Sequence, residues 1–266
     1  MDGDISHRKK AKDFGLPIYF DLQAKIGHSK HLGGEEVTKR LAKCCQLSPN
    51  KFVLNVGSGA GNAAAYLVEE FNCQMIGIDI LLNMAISARQ WVEQRGLNNL
   101  LEFVSADARK LPFRENMFDV VISESVNVFI RDKEQAMREY IRVAKPGGFI
   151  GLTEAVWIKE PTAEISDVIM EATGQPILSS SVWEKLLKDA GLLDLVFERH
   201  PITLKGEARN QFALLGAGDY LRIIVRAIST LATDSESRSL IKYLSSNPRR
   251  YFDYLGYGLY FGRVPV

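Results

Sequence analysis

The stretch "VLNVGSGAGNAA", Val53 to Ala64, decides the fold. Its apolar start reads as a buried strand and its alanine-rich end as a helix, with Gly57, Gly59 and Gly61 between them. Glycines at such a turn let the backbone approach a ligand closely, and the helix start offers free N–H groups. The loop can hold a dinucleotide, a phosphate or a different adenosine cofactor. A P-loop is excluded because no Gly-Lys-Ser/Thr follows. A dinucleotide loop fits poorly, since Asn62 stands where Gly-x-Gly-x-x-Gly needs a small residue. The loop alone does not decide.

Working outward, strands and helices alternate. "KFVLNV" (51–56) precedes a helix over 62–71, and "QMIGID" (74–79) precedes a helix closed by Gly96. "LEFVSAD" (101–107) and "FDVVISES" (118–125) are the third and fourth strands. "KEQAMREYIRVA" is a helix stopped by "KPGG", and "FIGLTEAVW" is the fifth strand. This rhythm predicts βαβ units and an α/β fold, a parallel sheet with helices on both faces. Residues 1–50 read as a helical cap, with "GEEVTKRLAKCC" amphipathic. After Trp157 come helices near 162–172 and 181–190, then a strand in "DLVFERHPITL" (194–204). About 45 residues with helical patterning separate it from a closing strand, "YGLYFGRV" (257–264).

Composition narrows the function classes. The chain has 266 residues, and 33 basic against 32 acidic residues give a net charge of +1. That balance argues against a dedicated nucleic-acid binder. "HRKKAK" (7–12) and the pair Arg249, Arg250 read as solvated surface. Cys44, Cys45 and Cys73 form no even framework and no metal-ligand spacing, so no metal is expected and a reducing cytoplasm is the natural compartment. The charged N-terminus lacks the apolar core of a signal peptide. The most apolar long window, 211–233, carries Asp219, Arg222 and Arg226, which makes a poor membrane span.

The next two strand ends choose the ligand. Asp79 ends the second strand 18 residues after Gly61, where a carboxylate can accept both ribose hydroxyls. NAD and S-adenosylmethionine proteins share that feature. Asp107 in "SADARKLPF" lies outside the NAD fingerprint and suits an adenine amine, with the Ala108 N–H facing the ring.

With "VLNVGSGAG", "IGIDI", "ADARKLPF", "FDVVISES" and "KPGG" in that order, residues 30–157 resemble the class I S-adenosylmethionine-dependent methyltransferases of the small-molecule, type 11-like kind. The resemblance implies a Rossmann-like, seven-stranded, mostly parallel sheet with an antiparallel last strand. The core would span 51–206 and 251–266, and an inserted helical lid at 207–250 would lie over the active site. Gly57, Ser58, Gly59 and Gly61 would line the methionine moiety and ribose of S-adenosylmethionine. Asp79 would bind the ribose hydroxyls, Ile80 would pack on the adenine, and Asp107 and Ala108 would bind it. Ser123 or Glu124 would lie near the methionyl end. "HLGG", with Gly33 and Gly34, resembles a segment that folds over the cofactor carboxylate in some relatives. Asn55 stands where relatives usually carry an acid. It either joins the cofactor's ammonium network without the charge or satisfies its own loop.

Methyl transfer from a sulfonium needs mainly placement and exclusion of water, and a base only if the acceptor must lose a proton. The candidates for catalytic work are Glu124 and Glu154, near strand ends that face the site, and Tyr19, His28 and His31 in the N-terminal segment. For each glutamate, a hydrogen-bonding role towards cofactor or loop competes with catalysis. His200, in a late strand, reads as structural. Related phosphoethanolamine methyltransferases place a histidine where this chain has Phe129, which makes the pocket wall apolar there.

"SESV" after the fourth strand is not the Asn/Asp-Pro-Pro-Tyr/Phe motif of nucleic-acid amino methylation, and the cysteines do not converge as arsenite methylation requires. A looser likeness to quinone methyltransferases points to a small apolar or aromatic acceptor, with peripheral membrane contact. Two other classes stay open: a protein or RNA methyltransferase that docks through the region after Trp157, and a non-catalytic S-adenosylmethionine-binding module.

Overall fold

A computed structural model describes residues 33–173, 176–202 and 253–266, with Val225, Ser229 and Thr233 as isolated positions. Helix α1 (Gly34–Cys44) precedes β1 (Phe52–Val56), α2 (Asn62–Phe71), β2 (Gln74–Asp79), α3 (Leu82–Gln94) and β3 (Leu101–Ser105). Then follow β4 (Phe118–Glu124), a 3-10 turn (Asn127–Phe129), α4 (Lys133–Val143) and β5 (Ala144–Trp157). The chain continues through α5 (Ala163–Thr173), β6 (Leu178–Ser179), α6 (Ser180–Asp189), β7 (Leu193–Pro201) and β8 (Leu255–Arg263).

The sheet runs β3-β2-β1-β4-β5-β8-β7, with the two-residue β6 beside β5. Strands β1 to β5 are parallel, and β8 lies antiparallel to both β5 and β7. The expected reversed closing strand is therefore present, and the strands at 194–204 and 257–264 are antiparallel neighbours. The sheet has eight strands, not seven. The extra one, β6, is too short for any period to mark it.

Central strands read as unbroken apolar runs because both faces are covered. β1 and β4 are buried along nearly their whole length, whereas β3 alternates and the edge strand β7 is largely exposed. One face packs α1, α2 and α3 against Val53, Met75, Phe103 and Ile122. The other packs α4 and α6 against Leu54, Val56, Ile78 and Leu152. Asp132 caps α4 by accepting the Gln135 N–H at 2.9 Å.

Two boundaries differ from expectation. "KPGG" is no break before β5. The strand starts at Ala144 and the irregular stretch is absorbed as a register shift against β4, with Gly147 at φ +74. β3 ends at Ser105, so Asp107 does not close it. Of the helical cap at 1–50, α1 is described and 1–32 lies outside the described residues. The lid expected at 207–250 also lies outside them, apart from the three isolated positions.

Candidate active site

Strand order reverses between β1 and β4, which leaves a crevice beyond their carboxyl ends. The glycine loop after β1 and the turn after β4 meet there. Gly57, Gly59 and Gly61 take φ values of +70, +53 and +86. At Gly57 a Cβ would also lie 2.2 Å from Cγ2 of Val126, so glycine is required on both counts. Ser58 pins the loop to β2: its N–H and its hydroxyl both donate to the Ile78 carbonyl, at 2.8 and 3.2 Å. Gly77 makes that close approach possible, since a Cβ there would sit 2.6 Å from the Phe103 ring and 2.9 Å from Ser58 Cβ.

Asp79, at the end of β2, joins the loop directly. One carboxylate oxygen accepts the Gly59 N–H and the other the Leu81 N–H, both at 2.9 Å. Burial pushes its pKa up while these two donors pull it down. Each oxygen keeps capacity for a further donor. Ile80 follows, half-buried.

Asp107 sits in a turn of its own. Its carboxylate accepts the Arg109 N–H at 2.9 Å, two residues on, and pairs with the Arg109 guanidinium at 2.6 Å. The hydrogen bonds and charge of Arg109 hold its pKa below the ordinary range. This local turn is why the strand stops short. Ala108 is half-buried beside it.

The end of β4 sends consecutive side chains to opposite faces. Glu124, 7% exposed, turns to α1, where Thr38 Oγ1 donates to its oxygens at 3.0 and 3.2 Å. Asn55, 3% exposed on β1, shares that face, its backbone in register with Ile122. Gly33 and Gly34, at φ +81 and +62, open α1 on this side. Ser123 turns the other way and accepts the Asn127 amide at 2.9 Å. The same amide donates to Glu154 at 2.9 Å, and Tyr140 OH donates to Asn127 Oδ1 at 2.9 Å. Glu154 lies inside β5, fully buried, with burial pushing its pKa up to about 7. Phe129, on the 3-10 turn, is half-buried against the second core cluster.

Of the expected site residues, Gly57, Ser58, Gly59, Gly61 and Asp79 are brought together around one loop. Asn55 and Glu124 share a face, and Ser123 and Glu154 share a buried network. Tyr19, His28 and His31 lie outside the described residues. His200, on the edge strand, contacts Glu198 at 3.0 Å and stacks on Tyr257. Thr38, Gly77, Val126, Asn127 and Arg109 were not anticipated. Gly77 left a trace as the one small residue of "QMIGID". The Thr38–Glu124 contact spans 86 positions and left none. Among the described residues no His/Cys/Asp/Glu group could hold a metal, and no helix is long and apolar enough to cross a membrane.

Residues 54–152 match a family model described as a methyltransferase domain. Phosphoethanolamine N-methyltransferase 1 of Arabidopsis thaliana is 33% identical over 167 residues, covering 62% of this chain and 33% of that protein. Sarcosine/dimethylglycine N-methyltransferase of Halorhodospira halochloris is 28% identical over 194 residues, covering 71% of this chain and 67% of that protein. The chain spans about a third of the length of the first curated relatives it matches. Phosphoethanolamine N-methyltransferase 2 of Haemonchus contortus, solved with phosphomonomethylethanolamine and S-adenosylhomocysteine, superposes with a TM-score of 0.71. It is 20% identical, and the match covers 93% of this chain and 57% of that one, a likeness of fold.

Proposed function

We propose that this chain is a class I S-adenosylmethionine-dependent methyltransferase that methylates a small-molecule acceptor at the crevice between β1 and β4, a reading supported by the methyltransferase-domain match over 54–152 and by the similar N-methyltransferases. The observation that carries the reading is the tie between Asp79 and the Gly59 N–H. It sets a carboxylate with spare acceptor capacity beside a glycine loop whose backbone a Cβ would block. Those groups suit a ribose and a methionyl chain. Bound there, S-adenosylmethionine supplies a methyl group on a cationic sulfur.

The protein's own part is placement. Gly57 to Gly61 would admit the cofactor, Asp79 would hold the ribose, and Asp107, Ile80 and Ala108 would flank the adenine. Glu124, Asn55, Gly33 and Gly34 would face the methionyl end from β4, β1 and α1. Among the described residues near the strand ends, Glu154 is closed beneath the turn, so the chemistry rests on orientation more than on a base.

For the acceptor, the half-buried Phe129 at the end of the turn after β4 supports a small apolar or aromatic molecule. The reading has 1–50 as a cap, 51–206 with 251–266 as the core and 207–250 as a lid over the acceptor. A second reading, a small amine, is favoured by the printed activities of the similar proteins. Free cysteines suit a cytoplasmic location.

Calorimetry with S-adenosylhomocysteine and NAD, followed by methyl-labelled S-adenosylmethionine offered with aromatic and amine acceptors, tests this. Binding of S-adenosylhomocysteine and not NAD is expected. Tighter NAD binding would overturn the proposal, and label on amines alone would replace the apolar acceptor with the second reading.

A further inference from the structure

Glu154 is a fully buried carboxylate to which the reading above gives no task. Its Oε1 accepts the Asn127 N–H at 2.8 Å, the Asn127 amide at 2.9 Å and the Val126 N–H at 3.3 Å. Its Oε2 accepts the Val128 N–H at 3.3 Å. All four donors come from three consecutive residues of the turn after β4. That turn begins at Ser125, held at φ +58, whose N–H donates to the Thr153 carbonyl at 2.7 Å. The turn is therefore fastened to β5 at two adjacent residues, Thr153 and Glu154.

The fastened turn in turn fixes part of the cofactor crevice. Val126 packs on Gly57 so closely that a Cβ there would meet its methyl groups at 2.2 and 2.7 Å. Phe129 ends the same turn. We propose that Glu154 is a positioning residue for the cofactor crevice: its ionised carboxylate holds the 126–129 turn, and the turn holds Val126 as the wall over Gly57. This rests on the reading that the cofactor lies along the glycine loop.

A purely structural glutamate would serve equally well in either protonation state. This one does not. Four donors converge on it, three of them on Oε1, so a proton on Oε1 displaces one of them, and a proton on Oε2 turns every bond to the turn from charge-assisted to neutral and weakens it. Asn127 cannot compensate, because Ser123, Glu154 and Tyr140 already use its side chain. Burial sets the carboxyl to titrate at about 7. Among the described residues, the other titratable groups coupled to it are Lys133 and Tyr140 from α4 and Tyr260 from β8. Both phenols are pushed upward by burial and stay neutral at these pH values. Lys133 is committed to the Ile130 carbonyl at 2.7 Å and the Val128 carbonyl at 3.4 Å. Neutral Glu154 therefore loosens the turn, Val126 withdraws, and cofactor affinity follows the ionisation.

The test is calorimetry of S-adenosylhomocysteine against the full chain from pH 5.5 to 8.5, for wild type, Glu154→Gln, Val126→Ala and the double variant. Binding by wild type at pH 8 tests the parent reading, and its absence sinks that reading first. Given that binding, wild-type affinity should fall about tenfold between pH 8 and pH 5.5, while Glu154→Gln should be about tenfold weaker at pH 8 and flat below it. The ligand's own titration is common to all variants and cancels in their comparison. Val126→Ala should blunt the pH dependence, and its effect should shrink in the Glu154→Gln background, as for residues acting through one element. A wild-type profile in Glu154→Gln, or strictly additive effects, would overturn the proposal. Should Glu154→Gln fail to fold by circular dichroism, Val126→Ala decides alone: unchanged affinity and pH profile overturn it, weaker and flatter binding supports it.

Discussion

Gly57 and Val126 are packed so that a Cβ on the glycine would lie 2.2 Å from the valine Cγ2, although the two residues sit on different strands' loops. The glycine also holds φ +70. Gly57→Ala must therefore displace Val126 and adopt a left-handed backbone. We expect the fold to lose about 1–3 kcal/mol. S-adenosylhomocysteine affinity should drop by at least about tenfold, which is 1.4 kcal/mol. A thermal melt with parallel calorimetry checks both. Wild-type values in both would mean that the loop relaxes without cost and does not shape the crevice.

Asp79 braces the loop through Gly59, and on the proposed reading it would also offer acceptors to a ribose. Asp79→Ala should weaken S-adenosylhomocysteine by about 1.5–3 kcal/mol, the range for hydrogen bonds to a charged group. Asp79→Asn keeps one acceptor and should fall between wild type and alanine. If asparagine and alanine bind alike, the charge and second oxygen that both variants lose carry the effect, and not the bracing of Gly59, which an amide oxygen can still accept.

The features legible in the sequence were those with a period or a punctuated boundary. α2 and β2 fall on the residues their apolar patterns mark, and the reversed β8 follows from the resemblance. β6, with two residues, has no period to read. Asp107 lies beyond the strand its apolar run marks, because such a run shows where a strand fits, not where an aspartate turns back on the N–H two residues later. The glycine loop and Asp79 were legible because backbone geometry restricts the residue types allowed there. Thr38 and Asn127 were not, because ordinary polar residues gain their roles only when β4 and β5 bring distant partners to them.

Glu154 also makes a stability prediction independent of any ligand. Its carboxyl is raised in the fold from an ordinary 4.5 to about 7, so the folded state binds a proton that the unfolded state releases between those values. Stability must then fall as pH rises from 4.5 to 7 and level off above. Glu154→Gln carries no such titration. The melting temperature of the variant minus that of wild type should therefore rise between pH 5 and pH 8. A difference that stays constant, or falls, would show that the buried carboxyl is ionised throughout.

Asn55 gives the last prediction. It lies 3% exposed on β1, on the face where Glu124 already places a buried carboxylate on the neighbouring strand. Asn55→Asp adds a second negative charge to that face without changing shape. In the free protein, burying this charge beside another costs stability, so the melting temperature should fall. On the proposed reading the same charge would face the α-ammonium of the bound cofactor, and a charge-assisted hydrogen bond would replace a neutral one. The stabilisation gained on adding S-adenosylhomocysteine should therefore exceed that of wild type. Melting curves with and without ligand read both effects from one sample. If the free protein is destabilised and the ligand-induced rise is no larger than in wild type, Asn55 serves only its own loop, and the cofactor's ammonium is held elsewhere.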